Sequence, residues 1–249
     1  MKRTLFTGLA AALIASQTAA FDVSAMNDAE RQAFRAEIRS YLMENPQVLM
    51  EAIGVLEERQ AEAQAQGDVD LIATNSDAIF NDDHSWVSGN PDGDVVMVEF
   101  IDYRCGFCRR AHPEVTELVD TDGNIKLITK EFPILGEASV MASQFAIATL
   151  QKLGPEAYQK VNNALITMRA DITPESLDRL GQELGLDTAT IMPHMLSDEV
   201  QTVIAENRAL AQRLQINGTP SFVLQDQMLR GYVPLAQMMA LVDEKRTAN

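Results

Sequence analysis

The two cysteines of this 249-residue chain lie three positions apart, as Cys105-Gly106-Phe107-Cys108. A buried-strand pattern over Val95–Ile101 precedes the pair, and residues 109–120 follow a helical pattern. A cysteine at such a junction meets the unpaired N–H groups and the positive dipole end of the helix. Both stabilise a thiolate, the species that attacks and leaves in thiol–disulfide exchange. We therefore predict an exposed nucleophile at Cys105 and a buried resolving thiol at Cys108.

The first twenty residues show the three regions of an export signal. Lys2 and Arg3 are basic, residues 5–15 are apolar, and residues 18–20 are small. The apolar run is too short for a permanent membrane span. We therefore predict a signal peptide over 1–20 and a periplasmic protein, because a cysteine pair can stay oxidised there. The net charge of −16 argues against nucleic acid as a partner.

Residues 21–67 predict an N-terminal helical segment. Its apolar residues recur at the spacing of one helical face, at positions 34, 38, 41, 42, 48, 49, 52, 53 and 56. Residues 57–66 contain only Ala, Glu, Gln and Arg, which favour helix without an apolar face, and the pattern ends at Gly67-Asp68. The apolar face can pack on the rest of its own chain or on another copy. We favour a homo-oligomer, with residues 57–66 as a spacer.

The remainder, residues 75–249, predicts one α/β domain. After a polar stretch over 75–94, the strand–helix–strand order through the cysteines and residues 125–130 requires a right-handed crossover and parallel strands. Residues 137–216 are helical by pattern, residues 221–224 and 228–230 form a hairpin, and Pro234 begins a last helix. The order predicts a mixed sheet covered on both faces, with the central helices as an insertion.

Glu99 is the one charged residue of the strand Val95–Ile101, and its alternation places it beside Met97 and Ile101. A buried acid is costly unless it is paired or functional, and a buried thiol at Cys108 needs a base in order to ionise. We predict that Glu99 is this base and that Lys130, at the end of the neighbouring strand, is its partner. The alternative places Glu99 at an exposed sheet edge.

Gly218-Thr219-Pro220 begins the predicted hairpin. An ordinary trans proline is the common case. A cis bond would instead expose the backbone of Thr219 for pairing with a substrate strand. The residues alone leave both conformations open.

In this order the motifs resemble the DsbA-like branch of the thioredoxin superfamily, and within it the Com1-like and ScsC-like proteins. The resemblance covers roughly residues 94–242 and rests on Val98-Glu99-Phe100, the cysteine motif, Thr129-Lys130, Gly218-Thr219-Pro220 and the closing helix. Residues 27–66 also resemble the oligomerising segment of the ScsC-like group.

The resemblance implies a thioredoxin-like fold and a protein disulfide oxidoreductase whose redox group is the Cys105–Cys108 disulfide, without another cofactor. It implies cysteine-containing exported clients and a DsbB-like or DsbD-like membrane redox partner. It also assigns Cys105 as nucleophile and Cys108 as resolving thiol. Glu99 and Lys130 become a buried acid–base pair. The substrate contacts that we expect are Phe107, Thr219 and a cis Pro220.

Two features differ from the strongly oxidising DsbA type. That type has Pro-His between its cysteines, whereas this chain has Gly106-Phe107, and loss of the histidine predicts a weaker oxidant. Thr219 before the proline is similar to the isomerase and reductase members. Our hypothesis is an oligomeric disulfide isomerase, and the alternative is a monomeric dithiol oxidase.

Two other interpretations of the cysteine pair have less support from the sequence. Cys105, Cys108 and His112 share one helical face, and this soft set could bind copper or zinc. Zinc usually takes four ligands, so we expect no resident metal, with copper capture by the reduced dithiol as a second alternative. A purely structural disulfide closing so short a loop would contribute only about 2 kcal/mol.

Overall fold

The structure is a computed structural model that describes residues 23–248. The predicted signal peptide over 1–20 lies outside these residues. The chain divides after Arg59 into two compact units. Within residues 23–248, no helix combines the length and the apolar character needed to cross a membrane.

The first unit is helical. A short 3-10 helix, Val23–Ala25, precedes α1 (Asp28–Glu44), and α2 (Gln47–Thr74) begins in this unit. Asn27 caps α1 because its side chain accepts hydrogen bonds from two backbone N–H groups of the first turn. No residue of α1 is buried. Exposed apolar side chains lie along both helices, among them Ile38, Tyr41, Leu49, Ile53 and Leu56.

Helix α2 continues through Gly67 to Thr74, so the prediction that the helix ends at Gly67-Asp68 is wrong. A glycine inside a helix costs only about 1 kcal/mol. The contacts that α2 makes beyond Gly67 outweigh that cost. The Asp68 carboxylate accepts two hydrogen bonds from Arg230, at 2.6 and 2.8 Å, and Ile72 packs in the core of the second unit.

The second unit contains a five-stranded sheet in the order β1-β3-β2-β4-β5. The two central strands are parallel and the other neighbours are antiparallel, which confirms the predicted mixed sheet. The strands are β1 (Trp86–Gly89), β2 (Val95–Ile101), β3 (Ile125–Glu131), β4 (Ser221–Leu224) and β5 (Gln227–Arg230).

Helices cover both faces of this sheet. The helices after α2 are α3 (Ser76–Phe80), α4 (Gly106–Asp122), α5 (Glu137–Leu153), α6 (Pro155–Thr167), α7 (Pro174–Glu183), α8 (Thr188–His194), α9 (Asp198–Arg213) and α10 (Leu235–Ala248). Helices α5–α9 occupy the predicted insertion. The sequence missed α3 and β1, because each is very short and the stretch around them is polar.

Strand β2 divides the core because its side chains alternate between the two faces. Val95 and Met97 pack with apolar residues of α4 and α10. Val98 and Phe100 pack on the other face, with apolar residues of α2, α3 and α9. We call the first the cysteine face, since α4 lies on it, and the second the opposite face.

Candidate active site

Cys105 is the N-cap residue of α4, and its carbonyl accepts the hydrogen bond of Arg109 N. Cys108 lies one turn into the helix and is fully buried, as predicted. Cys105 is only 7% exposed, so the prediction of an exposed thiol is wrong. The reason is a distant segment of the chain: the Cys105 Sγ donates to the carbonyl oxygen of Thr219 at 3.1 Å.

The segment that covers Cys105 enters β4 through a tight turn. The Thr219–Pro220 peptide bond is cis, and Ser221 Oγ donates to the Gly218 carbonyl at 2.8 Å. Pro220 is buried and Thr219 is half-buried. Phe107, between the two cysteines, is 60% exposed. A backbone carbonyl therefore contacts the sulfur of Cys105, and an exposed apolar ring lies two residues further along the chain.

Glu99 lies on the cysteine face and lines one cavity together with Cys108. It is 5% exposed on a central strand, so the alternative of an exposed sheet edge is wrong. Burial raises the pKa of Glu99 to about 8. Burial also raises the pKa of the Cys108 thiol, and the negative charge of Glu99 adds to that shift. A carboxyl group in this position can exchange a proton with the thiol near neutral pH.

Lys130 does not pair with Glu99. The register of β2 and β3 places Thr129 opposite Glu99 and Lys130 opposite Phe100. Because successive side chains of a strand point to opposite faces, Lys130 lies on the opposite face. Its ammonium group contacts the carboxylate of Asp82 and the Ser85 hydroxyl.

The Lys130–Asp82 pair is a buried ion pair, with side chains 0% and 9% exposed. Burial opposes ionisation of Asp82, but the attraction of Lys130 outweighs it and lowers the pKa of Asp82. Asp82 also accepts hydrogen bonds from the backbone N–H groups of His84 and Ser85. The pair therefore fastens the segment before β1 to the sheet, and the predicted acid–base pair of Glu99 and Lys130 is wrong.

A second buried acid on the cysteine face escaped the sequence analysis. Glu131 accepts hydrogen bonds from the hydroxyls of Tyr103 (2.6 Å), Tyr158 (2.5 Å) and Ser143 (2.7 Å). Burial raises its pKa to about 7, against the effect of these donors. Glu131 directly follows the predicted strand 125–130 and alternates with Thr129, which was the available signal. The network joins β3 to the loop before Cys105 and to the inserted helices α5 and α6.

Asp102, at the end of β2, fixes the loops beside the cysteines. One carboxylate oxygen accepts from Arg104 N at 2.8 Å and from Ser139 Oγ at 2.7 Å. The other accepts from the backbone N–H groups of Ile134 and Leu135. These bonds tie the loop after β2 to the loop after β3, where Leu135 is 52% exposed.

His112 follows Cys108 by one helical turn, and its Nε2 lies 2.9 Å from the Asn163 Oδ1. In the described part of the chain, no three His, Cys, Asp or Glu side chains are grouped so that they could hold a metal ion. Copper capture by the two thiols stays a prediction.

The chain matches the Thioredoxin family over residues 81–244 and the copper resistance protein ScsC N-terminal domain over residues 30–63. A thioredoxin-like oxidoreductase from Silicibacter pomeroyi DSS-3 is 44% identical and has a TM-score of 0.65, over 70% of this chain and 99% of that one. A linker-deletion mutant of Proteus mirabilis ScsC is 25% identical and has a TM-score of 0.69, over 92% of this chain and 100% of that one.

Curated relatives match over part of their length. The thiol:disulfide interchange protein DsbA of Bordetella pertussis is 28% identical, over 53% of this chain and 64% of that protein. The Na⁺/H⁺ antiporter NhaA 3 of Salinispora tropica is 23% identical over 72% of this chain, which spans only 26% of the antiporter. Since the family match covers well over half of its residues, the chain belongs to the thioredoxin family, and it is similar to proteins of the DsbA and ScsC type.

Proposed function

We propose that this protein exchanges disulfides with exported, cysteine-containing proteins in the periplasm, and that Cys105 is the attacking and leaving thiol. The observation that carries the proposal is the placement of the two thiols. Cys105 caps α4 beside the Thr219 carbonyl, whereas Cys108 is buried and shares its cavity with Glu99. We assign the client to the first thiol because it keeps 7% exposure whereas the second has none, and we assign the buried acid to the second because they share a cavity.

The reduced protein acts in two steps. The Cys105 thiolate attacks a client disulfide, so that a mixed disulfide forms and one client sulfur leaves as a thiolate. Cys108 then transfers its proton to Glu99 and attacks the Cys105 sulfur, which releases the second client sulfur. The client gains two electrons and the protein retains a Cys105–Cys108 disulfide. In isomerisation a client thiolate attacks the mixed disulfide instead, and the protein is unchanged.

The client chain binds beside Cys105. We assign its contacts to the backbone of Thr219, to Pro220 and to the exposed ring of Phe107. A backbone carbonyl at a sheet end can pair with an extended peptide without reading its sequence. This suits an enzyme that accepts many client proteins.

We further propose that the protein self-associates through α1 and the first half of α2 and acts as a disulfide isomerase. Most apolar side chains along these helices are exposed in the described chain, and residues 30–63 match the ScsC N-terminal domain. An oligomer presents several thiols to one misfolded client and raises their effective concentration. A DsbD-like membrane partner would keep the pair reduced. The monomeric oxidase, recharged by a DsbB-like partner, remains the second candidate because Cys105 and Cys108 serve either direction.

Two cysteine variants of the full chain test the order of attack. Cys108→Ser should accumulate mixed disulfides with client proteins, because the resolving thiol is gone. Cys105→Ser should form none. Non-reducing gels with mass spectrometry of the linked peptides measure both. Mixed disulfides at residue 108 in the Cys105→Ser variant would overturn the assignment.

A pair of α1 variants tests the oligomer and the isomerase together. Ile38 lies on the apolar stripe, whereas Met43 lies on the other side of α1 and is 70% exposed. Ile38→Glu should lower the mass measured by sedimentation and slow the recovery of a scrambled client protein. Met43→Glu is the matched control and should change neither. A monomeric wild-type protein that rapidly oxidises reduced clients would establish the oxidase instead.

A further inference from the structure

A cavity of about 90 Å³ lies on the cysteine face, between the sheet, α4 and α6. Its inner end is formed by polar side chains of Glu99, Cys108, Thr129 and Asn162. One water molecule needs roughly 10–15 Å³ of such volume and two to four polar partners. The cavity therefore has room and hydrogen-bonding groups for several water molecules in contact with the Glu99 carboxyl.

The outer end of the same cavity is formed by exposed residues, including Thr116, Gln159 and Asn163. His112 is half-buried and lines the cavity four residues after Cys108, on the same side of α4. A path from the buried Glu99 to solvent thus passes the imidazole of His112.

The hydrogen bond of His112 fixes which ring nitrogen can accept a proton. Its Nε2 lies 2.9 Å from the Asn163 Oδ1, an oxygen that only accepts, so Nε2 carries the hydrogen. The neutral ring then keeps Nδ1 as an acceptor. Burial lowers the pKa of His112, against the effect of Asn163, and so favours the neutral ring.

The charged groups around this path are few. Glu99 faces the cavity from β2, and Cys108 and Asp120 face it from α4. Among residues 23–248, β1, β3 and α6 contribute only uncharged side chains to the lining. His112 is therefore the group between the buried acid and solvent whose side chain can both accept and donate a proton.

We propose that His112 carries protons between Glu99 and solvent through the water of this cavity, and so sets the pace at which Cys108 can be deprotonated again. This rests on the proposed roles of Cys108 and Glu99. The proton leaves Cys108 Sγ for Glu99, moves by way of water to His112 Nδ1, and passes to solvent. No electrons accompany it. A Glu99 that stays protonated cannot accept the proton of Cys108. Without a route for protons from Glu99 to solvent, the resolving step would therefore be slow.

The test separates the two steps of exchange in the full-length reduced protein. Glutathione disulfide is added in dilute buffer at pH 7, and acid-quenched samples are analysed by mass spectrometry. The glutathione adduct on Cys105 reports the first attack, and its loss reports resolution by Cys108. The variant is His112→Gln, which keeps a hydrogen-bonding amide and removes the titrating ring. The matched control is His194→Gln, because the His194 Nε2 also lies next to an amide oxygen, the Gln151 Oε1, at 2.7 Å.

We expect His112→Gln to slow resolution on the order of tenfold, below the 10²–10⁴-fold effect of a direct acid–base group. Its first attack should match the wild type, and added imidazole should restore resolution. His194→Gln should leave both steps unchanged. Resolution at the wild-type rate in His112→Gln, or a slow rate that imidazole does not restore, would overturn the proposal. A wild-type protein that forms neither the adduct nor the Cys105–Cys108 disulfide would instead refute the proposed function.

Discussion

The two faces of the sheet treat buried charge in opposite ways. On the opposite face, the Lys130 ammonium meets the Asp82 carboxylate directly. On the cysteine face, Glu99 is raised in pKa by burial to about 8, and Glu131 is surrounded by hydroxyl donors rather than a cation. Lys130 and Thr129 are adjacent in sequence, yet they belong to different faces. One residue of register separates a structural ion pair from the buried acid to which we assign proton exchange.

The comparison suggests a physical reason why a lysine does not lie beside Glu99 in the proposed site of exchange. A cation beside Glu99 would favour its ionised form and hold its pKa low. Low basicity would make the carboxylate a poor acceptor for the proton of a buried thiol. Placing Lys130 on the opposite face leaves Glu99 able to hold a proton near neutral pH.

The largest expected effect comes from breaking the ion pair. Lys130→Met should destabilise the protein by about 3–5 kcal/mol, because it leaves the Asp82 carboxylate buried without its cation. Lys126→Met is the matched control, on the same strand and face but only half-buried, and should change stability by less than about 0.5 kcal/mol. Denaturant unfolding measures both. Equal losses in the two variants would remove the distinction between the faces.

Removing the acid on the cysteine face should affect rate rather than stability. Glu99→Gln should slow resolution by Cys108 on the order of 10²-fold, equivalent to about 2.7 kcal/mol, since a positioned base is lost. Stability at pH 8 should hold or rise, because an ionised buried carboxylate is removed. Glu117→Gln, at an exposed position of α4, is the control. A large loss of stability with an unchanged rate would make Glu99 structural.

The pH dependence of stability should differ in sign between the faces. The raised pKa values of Glu99 and Glu131 mean that the folded state binds more protons than the unfolded state. Their contribution is complete below pH 4.5 and is lost as pH rises through about 7 and 8, by at most about 1.4 kcal/mol per group and pH unit. Asp82 has a lowered pKa in the folded protein. Its contribution to stability is therefore present above pH 3.8, the pKa of the unfolded chain, and is lost only as pH falls below that value.

Unfolding free energies between pH 3 and pH 9 check this sign. The double variant Glu99→Gln with Glu131→Gln should flatten the decline above pH 5 and leave the acid limb in place. A wild-type stability that rises from pH 5 to pH 8 would contradict the pKa directions on the cysteine face.

The smallest expected effect is at the edge of the Glu131 network. Tyr103→Phe removes one of its three donors and should destabilise the fold by about 1 kcal/mol. Tyr232→Phe is the matched control, because the Tyr232 hydroxyl donates to Glu114 at 2.5 Å where both residues are only half-buried. Thermal unfolding of the two variants should show the larger loss of stability in Tyr103→Phe. A larger loss in Tyr232→Phe would show that the hydrogen bonds to Glu131 contribute little to stability.

The sequence predicted those parts of the site that depend on one element. The position of the cysteines at a helix start, the burial of Cys108 and the burial of Glu99 follow from local pattern and were confirmed. Contacts between segments that are distant in the chain could not be predicted from the sequence. Thr219 covers Cys105 from 114 residues away, and the partner of Lys130 depends on register and on the position of Asp82, 48 residues earlier.

Helix ends showed the same limit. The polar residues 57–66 and Gly67 predicted a helical spacer that ends at Gly67-Asp68. That prediction was wrong because local composition carries no information about a contact with Arg230. The ion pair of Arg230 with Asp68 and the burial of Ile72 extend α2 to Thr74. Strand β1 has four residues, too few for an alternation to stand out from its polar surroundings.

The most direct test of the account is the protonation of Glu99 itself. Carbon-13 NMR of the side-chain carboxyls in the reduced protein, with Glu99→Gln to assign the signal, gives its titration. We predict a midpoint near pH 8, far above the roughly 4.3 of an ordinary glutamate. A midpoint near the ordinary value would contradict the claim that the cysteine face holds an uncompensated acid for proton exchange.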